Sequence, residues 1–252
     1  MKTRILILLS TLMLTALNLN AQGSKSDAER LNLKGNVKSI LETTHNTKHQ
    51  VVGQPIRYIF NDQGDFEHVH YFDTAGNLAI TVHYTYVSKG RITGSTRLLE
   101  PYSQLAGVTT YSYDTKNRLL TASLLEINDT TTLTTTYRYN KKGEEIEMRI
   151  FGEDGDTLGC LKKEYDTYGN LVRETFLDGP SQLYHGEKVL RYDTEGNVVE
   201  ENNVDLERVN WCLLSSYSFD SKGNWVTCYK FRVTTREASL YEVVSRQISY
   251  SE

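Results

Sequence analysis

The chain has 252 residues, with 28 basic and 32 acidic side chains, a formal charge of −4, 17 tyrosines and only three prolines. Nothing in that balance favours nucleic acid or an anionic membrane face, both of which call for concentrated positive charge. Three cysteines in a chain with an export signal leave at least one thiol unpaired within a monomer.

Residues 1–21 read as a signal peptide: Lys2 and Arg4 form a basic start, an apolar run covers 5–19, and Asn20-Ala21 is a small-residue exit. The run is short for a bilayer span, and no cysteine near the cut suggests a lipid anchor. The expected location is therefore secreted or periplasmic, with no membrane insertion after cleavage and no nucleic-acid partner. Residues 22–32 are polar and read as a flexible leader; residues 33–252 read as one β-repeat domain.

From Val37 onward Thr, Val, Ile, Tyr and Phe are enriched between turn signals, giving about sixteen strands from Val37 to Tyr250. The turns share one heptad, most fully written as Tyr165-Asp166-Thr167-Tyr168-Gly169-Asn170-Leu171. Asp166 accepts hydrogen bonds from amides further along the turn, and Gly169 supplies the positive φ that ends it in a bulge. Copies align with Asn61, Asp73, Val87, Asp114, Asn140, Asp166, Asp193 and Asp220 in the Asp position. Three residues later stands Gly or, once, Asn117; the residue before is always aromatic. The residue five after is apolar in every copy but one, Glu145. Leaving Asp73 aside, the spacing is 26–27 residues, which marks a repeat of about seven hairpins. Half that length holds one strand and one turn, with no room for a crossover helix.

This heptad resembles the YD repeats of RHS-type proteins, and Tyr113-Asp114-Thr115-Lys116-Asn117-Arg118-Leu119 is the nearest match. Copies with Gly-Asn, such as Gly196-Asn197 and Gly223-Asn224, are similar to a group of secreted, mostly uncharacterised Bacteroidetes-type proteins. The resemblance covers residues 33–250 and implies a curled β-meander and cell-surface contact. A toxin shell, the role of much larger RHS proteins, does not carry over to so short a chain.

The expected fold is all-β: a single continuous curled antiparallel sheet whose concave face carries an aromatic row. Tyr84, Tyr86, Tyr111, Tyr113, Tyr137 and Tyr139 lie on that row and are the candidate ligand contacts, for a glycan or peptide. His70 and Phe72 are expected on it too. Two open edges would leave the last strand, Leu240 to Tyr250, free for self-association. A glycan or an envelope or surface protein is the expected partner.

Sites of other kinds are weaker. His68, His70 and His83 invite a metal, but ordinary hairpin pairing sets His70 opposite Ile80, His68 opposite Val82 and His83 opposite Glu67, with His83 on the other face. Pairing of Cys228 with Ser216 leaves Cys212 out of disulfide reach. Gly152-Glu153-Asp154-Gly155-Asp156 is oxygen-rich but lacks the alternation of a calcium loop. Glu144-Glu145 and Glu200-Glu201 read as solvated strand ends. No metal, cofactor or catalytic residue is assigned, and a non-enzymatic binding or scaffold protein is expected. The alternative is a secreted hydrolase of glycans or peptides, which two carboxylates or a His–carboxylate pair in one concave pocket would favour.

Overall fold

In the computed structural model the described residues are 25–128, 130–179, 181, 184–205, 210–234 and 237–251. The proposed signal peptide lies outside them. Among them run sixteen strands: β1 (Val37–Asn46), β2 (Val51–Phe60), β3 (Phe66–Phe72), β4 (Leu78–Ser88), β5 (Arg91–Leu99), β6 (Gln104–Tyr113), β7 (Leu119–Glu126) and β8 (Thr132–Tyr139). They continue as β9 (Glu145–Phe151), β10 (Thr157–Tyr165), β11 (Leu171–Asp178), β12 (Tyr184–Tyr192), β13 (Val198–Asp205), β14 (Asn210–Phe219), β15 (Trp225–Val233) and β16 (Ala238–Tyr250). Each pairs antiparallel with its neighbours in the chain.

The sheet is closed, not open. β16 pairs with β15 and also with β1, from Val37 opposite Tyr250 to Asn46 opposite Glu242. Strand twist accumulates at about 20–25° per strand, and sixteen strands carry the first back to the last. Closure satisfies the edge amides, so Leu240–Tyr250 is not the free edge expected for strand-wise self-association.

The heptads build the turns as their chemistry requires. In the turn after β10, Asp166 Oδ1 accepts the amides of Tyr168 (2.8 Å) and Asn170 (2.9 Å), and Oδ2 accepts Asn170 Nδ2 (3.0 Å). Gly169 takes φ +88°. Asn61 and Asn140 make the same amide bonds through Oδ1. The side-chain and backbone donors of Asn170 hold the Asp166 carboxyl below the usual range, and Asn77 does the same for Asp73. Gly152–Asp156 closes as another turn of this backbone pattern, with Gly152 N on Asp156 O at 2.9 Å.

Each heptad turn also inserts one extra residue into the outgoing strand, which shifts every pairing beyond it. His68 therefore opposes His83, and Cys228 opposes Tyr217. The expected pairings of His83 with Glu67 and of Cys228 with Ser216 are one residue off for this single reason.

Side-chain alternation then sorts the two faces. The inner face carries Tyr58, Val69, Val82, Tyr137, Met148 and Leu161 in cross-strand contact, with Ile40, Ile92 and Leu119 buried beside them. The outer face mixes threonine, serine and exposed apolar side chains such as Leu125, Leu214 and Tyr229 with ion pairs: Glu147 with Arg138 and Arg149, Arg173 with Glu164 and Glu187, and Arg191 with Glu200. His70 and Phe72 lie outside, not on the aromatic row, because their turn closes the opposite end of the barrel.

Candidate binding cavity beneath the amino-terminal cap

The tyrosine rows line the barrel interior and their hydroxyls stitch one repeat to the next. Tyr113 donates to Ile92 O (2.7 Å), Tyr139 to Leu119 O (2.9 Å) and Tyr192 to Leu171 O (2.8 Å). In each case the acceptor is the residue five after the Asp position of the preceding heptad. In the final repeat Phe219 has no hydroxyl, and Tyr217, two residues earlier, makes the bond to Val198 O (2.7 Å). Tyr84 and Tyr137 sit in the packed interior, where burial holds their hydroxyls well above the usual pKa. Tyr111 and Tyr113 are pushed up to about 12 by the same cause. Tyr86 donates to Asp27 Oδ2 at 2.9 Å. These six candidate contacts thus have their rings against the inner wall between β4 and β9, mostly with bonded hydroxyls.

Asp27 belongs to a segment read from the sequence as a flexible leader. Residues 25–34 are instead a cap across the heptad-turn end of the barrel. Asp27–Arg30 is one turn of helix started by a capping box: Ser26 Oγ accepts Glu29 N, and Glu29 Oε2 accepts Ser26 N. The cap is fastened on both sides. On one, Asp27 Oδ2 accepts Phe66 N, Ala28 N donates to Gly64 O, and Arg30 NH2 donates to Gly90 O. On the other, Asn32 Nδ2 donates to Glu195 O, and Lys34 exchanges backbone bonds with the buried Asn224 side chain at 2.7 and 2.8 Å.

Two turn glycines are seats for this cap. A Cβ on Gly64 would lie 2.9 Å from Ser26 Oγ, and one on Gly90 would lie 2.4 Å from Lys25 O, besides their positive φ. The sequence signals were present in Ser26-Asp27-Ala28-Glu29, but four residues are too few to stand out as a helix.

Under the cap, between residues 30–34 and the turn ends of β12 to β15, lies a cavity of about 710 Å³. Tyr217, Phe219 and Trp225 give it an aromatic wall, with Tyr217 and Trp225 centroids 5.7 Å apart. Arg246 places its guanidinium 3.4 Å over the Trp225 ring and bonds Glu42 Oε2 through Nε at 2.9 Å. Arg30, from the cap, lines the same space. None of the six tyrosines named from the sequence lines it.

Two charged departures from the repeat pattern meet in space. Glu145, expected as a solvated strand end, is buried and accepts a 2.7 Å bond from Lys163, which stands where five other copies carry tyrosine (Tyr58, Tyr84, Tyr111, Tyr137 and Tyr217). Burial raises the Glu145 carboxyl while Lys163 partly counters it. Glu174 is buried directly opposite Lys163, with Lys188 3.9 Å beyond.

The remaining candidates do not converge. His68, His70 and His83 share the outer face, with ring centroids 4.4 Å apart for His68 and His83 and 6.1 Å for His68 and His70. Among the described residues no three His, Cys, Asp or Glu groups are placed to hold a metal. Cys228 faces inward and Cys212 outward, and burial raises all three thiols, which disfavours the nucleophilic thiolate.

No family model and no curated protein matches the sequence, so the YD-repeat resemblance rests on the heptads alone. Among solved structures, a porin-like protein from Bacteroides uniformis is similar with a TM-score of 0.51 and 11% identity, over 84% of this chain and 98% of that one. A porin-like protein from Bacteroides vulgatus has a TM-score of 0.36 at 10% identity, over 86% and 99% of the two chains. The Photorhabdus luminescens Tc holotoxin pore has 0.34 at 14% identity, over 76% of this chain and 13% of that one. The first likeness is one of fold; the other two are too distant to carry an argument, and what the chain shares with the first is an all-β antiparallel barrel.

Proposed function

We propose that this chain is a non-enzymatic binding protein of the bacterial cell envelope or exterior, which works in water and holds a small ligand in the capped end of its barrel. The observation that carries the reading is the cavity beside Trp225, a space of ligand size bounded by aromatic rings and a few polar groups. Its lining holds one carboxylate, Glu195, and no His or Cys. The paired acids or His–carboxylate pair that a hydrolase needs are not in that lining, which argues for binding over hydrolysis.

The outer face supports the aqueous setting. A lipid-spanning barrel is apolar outside and polar within. Here Arg138, Arg149, Lys162, Arg173 and Arg191 lie on the outer face of β8 to β12, and a cation at the mid-depth of a bilayer costs roughly 2–4 kcal/mol each. Inside, β2 to β9 pack apolar and tyrosine side chains, and paired charges such as Glu145 with Lys163 and Lys230 with Glu242 line the rest.

A thermal-shift screen of sugars, sugar acids and aromatic acids tests the proposal, with Val198→Trp, which fills the cavity, as the blocked control. A ligand at a hundred times its Kd adds about 2.7 kcal/mol, or roughly 5–10 °C for a chain of this size. The expected result is a shift in the native protein that the blocked control lacks; equal shifts in both would place binding elsewhere and overturn the reading.

A further inference from the structure

We infer that the ligand of the capped cavity is an uncharged molecule carrying a flat apolar ring, held by ring contact and not by an ion pair. The inference rests on reading the cavity as a binding site. Each charged group of the lining already has a partner in the protein. Arg30 is bonded to Asp27 Oδ1 and to Gly90 O, and Arg246 bonds Glu42 while its guanidinium lies 3.4 Å over Trp225. Lys34 Nζ donates to Asn32 Oδ1 at 2.6 Å, and Glu195 Oε1 accepts Thr194 Oγ1 at 3.0 Å. The neutral polar groups are engaged in the same way: Asn197 Nδ2 donates to Asp193, Asn224 Nδ2 to Lys34 O, and the Tyr217 hydroxyl to Val198 O. A charged ligand would lose its water here without gaining a counter-charge.

The apolar part of the lining is open by contrast. Phe219 stands where Tyr113, Tyr139 and Tyr192 give a hydroxyl to the preceding repeat, and it is 47% exposed. Trp225 stands where five other copies have leucine, isoleucine or valine. The last repeat therefore departs from the pattern twice, each time toward bare ring surface on the cavity wall. Leu31, Leu33 and Val198 add aliphatic surface beside the rings. A ligand ring laid against this wall removes apolar area from water on both sides, and offset or edge-on packing against Phe219 and Tyr217 adds to the gain.

Two dyes of one skeleton separate ring contact from charge: N-phenyl-1-naphthylamine, which is uncharged, and 1-anilinonaphthalene-8-sulfonate, which adds an anion to it. Fluorescence titration of the full chain is expected to give one saturable site, roughly tenfold tighter for the uncharged dye, and none in Val198→Trp. Phe219→Ser should weaken the uncharged dye about fivefold, and Phe219→Tyr, which keeps the ring, should stay within about twofold of the native protein. Melting curves establish that each variant is folded. Equal or tighter binding of the sulfonate, or a Phe219→Ser variant that binds as the native protein does, overturns the inference and leaves the cavity as a site for another class of ligand. So does a sugar or acid of the thermal-shift screen that binds where neither dye does. If no dye and no screened compound distinguishes the native protein from Val198→Trp, both the inference and the binding reading fall.

Discussion

Replacing Lys163 by methionine removes the one cation bonded to Glu145 among the described residues, where the Glu145 side chain is 2% exposed, and leaves Glu174 across the strand with Lys188 at 3.9 Å. Breaking a buried pair from one side typically costs about 3–5 kcal/mol, because a charge is left without compensation. Removing both charges with Glu145→Leu and Lys163→Met restores an apolar residue where other heptads have one, and is expected to be neutral or stabilising by about 1–4 kcal/mol. Urea denaturation of the native protein, both single variants and the double measures this as a cycle. Burial already raises the folded-state pKa of Glu145. A group raised on folding contributes stability that is present below its unfolded pKa and lost as pH rises through the folded one. The Lys163→Met deficit should therefore be larger at pH 8 than near pH 4. A deficit below about 1 kcal/mol, or costs that simply add in the double variant, would show that the inner face is wet and refute the packed interior described above.

Three further outcomes follow from the same geometry. The carboxyls of Asp73, Asp114, Asp166 and Asp220 are lowered in the folded chain, by turn amides and by side chains of Asn77, Arg118, Asn170 and Tyr250. Their contribution is present above the unfolded carboxylate pKa of about 4 and lost as pH falls through the lower folded values. Asn at all four positions, as at Asn61 and Asn140, should flatten the loss of urea resistance between pH 5 and 2, and an unchanged acid limb would contradict this. Asp27→Ala strips the carboxylate from Phe66 N, Tyr86 and Arg30, and should cost about 3–5 kcal/mol. Hydrogen exchange at Ala28 and Leu31 should rise at least tenfold; unchanged protection there would mean that Asp27 does not fasten the cap. His70 and His83 are lowered by burial and by His68, so NMR titration should place both midpoints below 6.5, and midpoints above it would break the outer-face cluster.

Much of the barrel is written locally. The heptads mark the turns, and the first and last strands begin and end within two residues of where the alternating pattern sets them. What is not local is harder to read. The pairing of β1 with β16 joins residues some two hundred positions apart, and only accumulated twist brings them together. The register of His83 and Cys228 turned on one bulge residue per turn, which the heptad itself announces through its glycine. Glu145 and Lys163 each break a row, and each break is explained by the other, eighteen residues away. The cavity was missed because it lies where the tyrosine pattern ends, at Phe219 and Trp225, and is completed by a cap from outside the repeats.

Native mass spectrometry of the protein purified from its own organism tests the central claim most directly. The account predicts an adduct of a few hundred daltons on the native chain, released on unfolding and absent from the Val198→Trp variant. A native chain at its bare mass would contradict it.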